Sequence, residues 1–372
     1  MTDTNKSRAD KIKKKCTKFV NYHPPKTMKD WFERLAAFVD DEDDKMLATD
    51  HYGEGAYIEA FEKEIAELLG KEKGVFLPSG TMAQQIALRI WSEKTHNNRV
   101  VMHPTAHLEV HEEHAYEYLQ GLMHLSIPDH NPTQLLRLDQ LKKLKILPGT
   151  LLLELPQRPI GGQLPDWQEL VGIADWAKEH QVKLHLDGAR LWETQPFYNK
   201  SLAEIVALFD SVYVSFYKGL DGITGSMLLG PAAFIDEAKV WQRRMGGNLV
   251  RMFPYVAAAK MGLQDNLPRM ADYHERAKIL AAALNELEIY ETVPTIPQTN
   301  MFHLYIRSDK DRIEQAHLDL AEETGMWLIN RVSPGIIPAY HWTEVTIGSA
   351  SNDLDMDEVI AYFQKLATKI RD

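Results

Sequence analysis

A single cysteine, Cys16, stands in a chain of 372 residues. That scarcity excludes an internal disulfide framework and fits a reducing compartment. Long apolar runs are missing as well, since no stretch approaches the roughly 20 residues that span a bilayer. The N-terminus Met1-Thr2-Asp3-Thr4-Asn5 is polar and lacks the apolar centre of a secretory signal, so the cytoplasm is the expected location. Basic charge is short too: 42 Lys and Arg face 53 Asp and Glu, a net charge of −11. Nucleic acid is therefore not an expected partner, because phosphate binding draws on Lys and Arg. There is no internal repeat, no low-complexity tract and no Gly-x-x-x-x-Gly-Lys-Ser/Thr phosphate loop.

The content that remains is ordinary for a globular protein, 44% hydrophobic and 26% charged, and the length suggests two domains. Residues 1–50 read as an N-terminal arm plus one helix carrying Trp31, Phe32, Leu35 and Phe38 as packing residues. They include a basic run, Lys11 to Lys15, expected on a solvated helix or arm, and an acidic cluster, Asp40 to Asp44. Ile58, Phe61, Ile65, Leu68 and Leu69 follow a helical period that Gly70 stops. Seven β-type runs then alternate with helical ones: 74–77, 99–102, 123–127, 150–155, 182–186, 211–216 and 226–229. Such alternation predicts an α/β fold with a mostly parallel seven-stranded sheet covered on both faces. One long helical stretch is predicted from Asp236 to Leu287, followed by strands at 302–306 and 344–347. The expected division is a large domain over 51–260 and a smaller α+β domain over 261–372.

Two elements carry chemistry. Asp187 closes the apolar run in His185-Leu186-Asp187-Gly188-Ala189-Arg190, and Lys218 opens a Gly-rich turn 31 positions later. A lysine amine that can form a Schiff base, and a carboxylate that can keep a pyridine nitrogen protonated, are what pyridoxal 5′-phosphate (PLP) chemistry needs. In Leu77-Pro78-Ser79-Gly80-Thr81 a strand ends and a helix begins, which aims free backbone N–H groups at an anion. A plain N-cap is the simpler reading of that turn alone, and beside Lys218 it reads as a phosphate cradle. His103, His107, His111 and His114 fall near helical spacing, but His111-Glu112-Glu113-His114 is not the zinc motif His-Glu-x-x-His, and no metal is expected. One of the four is expected to stack on a cofactor ring, the others to sit on a wet helix face.

With these residues in view, the chain resembles the threonine aldolase and β-eliminating lyase family of fold-type I PLP enzymes, from about Tyr52 to Asn330. Tyr52-Gly53-Glu54, Phe76 to Thr81, His185 to Arg190, Lys218-Gly219-Leu220, Arg243 to Gly247 with Arg251, and Ile329-Asn330 with Ser333-Pro334 carry the likeness. The resemblance implies the PLP-dependent transferase-like fold and Cα–Cβ cleavage of a β-hydroxy-α-amino acid to glycine and an aldehyde. The catalytic residues it implies are Lys218, His107 as ring stacker, and Asp187. The cofactor would be held by Ser79, Gly80, Thr81, His107, Asp187, Arg190, Ser215, Lys218 and the Arg251 of a neighbouring subunit. The substrate would meet Arg190, and sites shared between chains imply a homodimer or homotetramer. A β-eliminating lyase, or another amino-acid transformation on the same cofactor, is the alternative, and a PLP-binding protein without turnover is disfavoured by the intact Asp187–Lys218 pair.

The sequence departs from the family pattern in three places. Where the family reads Glu-Asn-Thr-His, this chain reads Glu154-Leu155-Pro156-Gln157-Arg158, with no histidine. Gln157 cannot titrate and Arg158 stays protonated, so neither is a good base. The family's second carboxylate-binding arginine is missing from His341 to Thr346, and an N-terminal serine is replaced within Lys18 to Asn21. Arg158 and Gln157 are therefore added to Arg190 as expected substrate contacts.

Overall fold

The structure is a computed structural model that describes residues 3–40 and 49–371. The expected acidic cluster lies largely outside the described residues. Along the chain come α1 (Asp3–Lys13), β1 (Lys18–Phe19), α2 (Met28–Asp40), α3 (Ala56–Leu68), β2 (Lys73–Leu77) and α4 (Gly80–Thr95). Next are β3 (Arg99–Val101), α5 (His107–Val110), α6 (Ala115–Gln120), β4 (Met123–His124), α7 (Leu138–Leu141) and β5 (Thr150–Glu154). Then follow α8 (Trp167–Glu179), β6 (Lys183–Gly188), α9 (Gln195–Tyr198), α10 (Leu202–Val206), β7 (Ser211–Ser215) and β8 (Ser226–Gly230). The last part holds α11 (Ala232–Arg244), α12 (Phe253–Asn266), α13 (Met270–Asn285), β9 (Tyr290–Val293), β10 (Met301–Ile306) and α14 (Lys310–Thr324). It closes with β11 (Met326–Trp327), β12 (Ser333–Pro334), β13 (His341–Thr346) and α15 (Met356–Arg371).

Two compact units result, one of Lys26–Pro159 with Leu164–Pro268, the other of Met1–Pro25, Ile160–Gln163 and Arg269–Asp372. The first holds a seven-stranded sheet in the order β2-β8-β7-β6-β5-β3-β4. Only β8 runs against its neighbours, so the other six strands point the same way. Every one of the seven runs read from the sequence became a strand. Their apolar residues face both ways because helices cover both sides of the sheet. On one side α4 and α11 bury Ile86, Ile90, Trp91, Phe234 and Ile235 against Val75, Leu77, Tyr213 and Leu228. Each such fully buried aliphatic or aromatic side chain contributes about 1.5–3 kcal/mol. Parallel strands all end at one edge, which is where open α/β sheets bind ligands.

The second unit carries the antiparallel sheet β12-β13-β10-β9 and the small parallel pair β1-β11. Helix α1 is docked here rather than free: Ala9, Ile12 and Cys16 pack with Leu318, Ala321 and Trp327, and Arg8 pairs with Asp319 at 2.8 Å. The lysines 11, 14 and 15 stay exposed beside buried Ile12, as a solvated helix face requires.

Three expectations need correction. The stretch 236–287 is not one helix but parts of α11, α12 and α13. Helix α11 ends where Gly246 takes φ +72°, and Pro254 sits in the first turn of α12, where its missing N–H costs nothing. The aromatic side chains of α2 are not all packing residues, since Phe32 is 72% exposed. The four histidines do not share a helix face. His111 ends α5, and His114, at φ +55°, starts α6 in a new direction. His103 is buried, bonded to the Gln134 carbonyl at 2.9 Å, and burial holds its pKa down to about 4.

Candidate active site

The site grows from the carboxyl edge of the parallel strands in the larger unit. Strand β6 delivers Asp187, which is 3% exposed and accepts from the Ala189 N–H at 3.1 Å. Burial pushes the Asp187 carboxyl up from its ordinary range, and the Lys218 ammonium pulls it back. Lys218 leaves the end of β7 in a tight turn, with the Asp221 N–H donating to the Lys218 carbonyl at 2.9 Å. Lys218 itself is held below the usual lysine range, first by burial and then by Arg190, while Asp187 and Glu154 oppose the shift. A lowered amine pKa leaves more free base at neutral pH, which is what a nucleophilic lysine needs. Arg158 adds to the same push. Two arginines and two carboxylates thus act electrostatically on one amine.

The turn after Asp187 is locked from below. The Ser215 hydroxyl donates to the Ala189 carbonyl at 2.7 Å, and the Trp192 indole donates to the Ser215 carbonyl at 2.8 Å. The donor of Ser215 is therefore committed to the backbone of the Asp187–Arg190 turn. Arg190 is buried with its guanidinium 3.6 Å from the Glu193 carboxylate. Gly219 packs against that same carboxylate, where a Cβ would lie 2.6 Å from Glu193 Oε1.

Strand β2 leads into the turn that opens α4. Ser79 caps α4, its hydroxyl accepting from the Met82 N–H at 3.2 Å. The 16-residue α4 presents the N–H groups of its first turn with the positive end of its dipole. Gly80 is the tight point: a Cβ there would stand 2.0 Å from the Tyr213 hydroxyl and 2.4 Å from its ring. Tyr213 in turn lies 3.5 Å, hydroxyl to hydroxyl, from Tyr217. Burial drives the Tyr213 phenol far above its ordinary range, so it stays protonated. Thr81 is exposed at the same helix end.

His107 opens α5 with its Nδ1 2.9 Å from Glu112 Oε1. Gln85 from α4 donates to the other oxygen of Glu112 at 3.2 Å. A buried carboxylate bonded to one ring nitrogen fixes the orientation of an imidazole. Strand β5 ends in Glu154, directly paired with Asp187 in the ladder. Gln157 Nε2 donates to Glu154 Oε2 and to Thr105 Oγ1, both at 3.3 Å, and the Arg158 N–H reaches Glu154 Oε1 at 3.4 Å.

Asp187, Arg190, Lys218, Ser215, Gln157 and Arg158 are thus drawn together, and Ser79, Gly80 and His107 border them through Tyr213 and Gln85. Arg251 is exposed ahead of α12, its guanidinium donating to the Val250 carbonyl at 2.9 Å. Sequence reading missed Glu112, Glu154, Glu193 and Tyr213. A signal existed for Glu154, which closes an apolar strand run just as Asp187 does. Among the described residues, no group of three or more His, Cys, Asp or Glu is arranged to hold a metal ion.

Comparison with known proteins places this geometry. The profile of the β-eliminating lyase family matches residues 36–307. A low-specificity L-threonine aldolase 1 of Arabidopsis thaliana is 29% identical over 289 residues, 75% of this chain and 80% of that protein. A solved structure from Listeria monocytogenes EGD-E, provisionally named an L-allo-threonine aldolase, is 40% identical with a TM-score of 0.92, covering 98% of this chain and 99% of its own. Another, from Exiguobacterium sp. 255-15 and provisionally named an aromatic amino acid β-eliminating lyase/threonine aldolase, is 40% identical with a TM-score of 0.91, covering 97% and 99%.

Proposed function

Since the chain belongs to the β-eliminating lyase family, we propose that it uses PLP to cleave the Cα–Cβ bond of a β-hydroxy-α-amino acid, releasing glycine and an aldehyde. The residues present suit that cofactor. Gly80 lets the Tyr213 hydroxyl pack against the N-terminus of α4, where any Cβ would clash, and the first turn of that helix offers N–H groups to a phosphate. Asp187 is a buried acid with a lysine within electrostatic reach. When bound, PLP supplies a ring that accepts the electron pair of the broken bond.

The protein's own groups do the rest. Ser79, Gly80 and Thr81 hold the phosphate, joined by Arg251 of a second subunit in a homodimer or homotetramer. Lys218, held below the usual lysine range by burial and two arginines, makes the covalent attachment. Asp187 keeps a negative charge for the pyridine nitrogen. His107, oriented by Glu112, stacks on the ring. Arg190 takes the substrate α-carboxylate, and Arg158 with Gln157 borders the substrate side chain. Ser215 serves by fixing the backbone that carries Asp187 and Arg190.

The observation that carries this reading is the meeting of Asp187 and Lys218 at the ends of the adjacent strands β6 and β7. Incubating the protein with PLP and a panel of β-hydroxy amino acids tests it: aldehyde and glycine appear in equal amounts with the true substrate. Ammonia and a keto acid instead would mean β-elimination. Gln157, standing where the family has a histidine, favours a substrate side chain unlike that of threonine.

A further inference from the structure

Glu154 is an ionisable group of the site that the reaction above leaves without a task. Its place is fixed by the ladder: Glu154 pairs with Asp187 between the parallel strands β5 and β6. Side chains of directly paired residues rise from the same face, and the strands stand only about 4.8 Å apart. Two carboxylates are therefore side by side next to a single lysine. Like charges that close do not both ionise easily. The two acids are also unequally supported. Asp187 accepts a hydrogen bond of 3.1 Å from the Ala189 N–H, in the turn that Ser215 ties down, whereas Glu154 accepts two longer ones, one on each oxygen, of 3.3 Å from Gln157 and 3.4 Å from the Arg158 N–H.

We propose that Glu154 and Asp187 act as a one-proton pair in which Glu154 stores the proton and thereby leaves Asp187 ionised for the pyridine nitrogen. No bond to carbon changes and no co-reactant is needed: one proton rests on Glu154 instead of Asp187. Glu154 is thus a positioning residue, acting through Asp187. The groups that face it are Asp187 on β6, Lys218 after β7, His107 on α5, and Arg158 in the turn that follows β5. Burial first, then Asp187, raises its carboxyl to about 7, with Lys218, the Arg158 N–H and His107 pulling the other way. Gln157 belongs to the same device. An amide can stand against a neutral acid without adding a second titration, which a histidine there could not. The inference rests on the PLP reading for its purpose, although not for its test.

The test uses the cofactor-free protein and infrared difference spectroscopy of protonated carboxyl groups. Wild type is expected to lose one carboxylic-acid band as pH rises through about 7. Glu154→Gln lacks that band, Glu154→Asp keeps one at a displaced pH, and Asp187→Asn moves the Glu154 titration to lower pH because the neighbouring charge is gone. A band unchanged in Glu154→Gln, or a titration unmoved in Asp187→Asn, overturns the pair. A thermal scan adds a second reading. The folded pKa of Glu154 lies above its unfolded value, so its contribution to stability is present in acid and lost as pH rises through about 7. Glu154→Gln should remove that loss, and an identical slope in both proteins counts against the pair. In the loaded enzyme, the pH profile of kcat/KM should lose its limb near neutrality in Glu154→Gln. Absence of aldehyde release from any substrate would refute the proposed function and leave the infrared result standing, so the two failures are separable.

Discussion

Adding one methyl group at Gly80 is the sharpest single probe of the proposed phosphate corner. In Gly80→Ala the new Cβ would stand 2.0 Å from the Tyr213 hydroxyl and 2.4 Å from its ring carbon. Neither neighbour can yield easily, because Tyr213 sits within β7 and is only 3% exposed. Overpacking of this kind costs about 1–3 kcal/mol. The first turn of α4 is the freer partner, with Thr81 exposed, so relief should come from lifting that turn. The N–H groups proposed to meet the phosphate then move with it. If the whole strain appears as lost binding, PLP affinity falls roughly 5- to 150-fold. Fluorescence or absorbance titration of the cofactor-free protein reads the affinity, and thermal unfolding without cofactor reads the strain that is not relieved. Gly172→Ala is the control. It lies inside α8 and meets only the end of the Leu138 side chain at 2.9 Å. Alanine in a helix interior is favoured over glycine by about 0.5–1 kcal/mol, so that variant should keep both affinity and stability. A Gly80→Ala protein that matches wild type in melting temperature and PLP affinity would refute the cradle.

Three further outcomes are expected. Borohydride treatment with PLP should add the reduced cofactor to wild type and not to Lys218→Ala, by intact mass; a fixed adduct on the variant would sink the lysine assignment. Arg158→Lys and Arg158→Ala should each raise KM for the best substrate by roughly 10- to 150-fold, since hydrogen bonds to charged groups contribute about 1.5–3 kcal/mol; unchanged kcat/KM in both makes Arg158 structural. If Arg251 completes a neighbour's phosphate site, active enzyme should sediment as a dimer or larger and Arg251→Ala should bind PLP more weakly, whereas a fully active monomer at assay concentration excludes a shared site.

The sheet was legible because its signals are local. Each buried parallel strand is a short apolar run between turn residues, and that pattern survives whatever the helices do. The error at 236–287 came from the same kind of reading. A helical period continues across Gly246-Gly247 and Pro254, and only the turn geometry shows that the axis changes direction there. Phe32 of α2 misled for the opposite reason, since an aromatic residue at helical spacing predicts packing even where 72% of it is exposed. Charged ties also hold the region of α2. Lys26 pairs with Asp221, three residues beyond Lys218, and Arg34 reaches Asp265 at 2.9 Å. Ion pairs between residues 195 and 231 positions apart leave no periodic trace in a sequence.

At the site, the residues found from sequence are those whose chemistry is unusual for their local setting: an acid ending an apolar strand, a lysine opening a glycine turn. The residues missed act through a partner that is distant in the chain. Tyr213 matters because it lies against Gly80, and Glu112 because α5 turns His107 back upon it. Glu154 is the instructive case, because it satisfies the local rule that found Asp187 and was passed over for the missing histidine three positions on. Its significance comes from ladder register, which sets it beside Asp187 and beneath the reach of Lys218. Register is decided by the pairing of whole strands, so no motif of a few residues can carry it. The departure from the family pattern at Gln157 then has a physical reading. With an amide in place of a histidine next to Glu154, the proposed pair is left as the proton-holding group at that edge of the sheet.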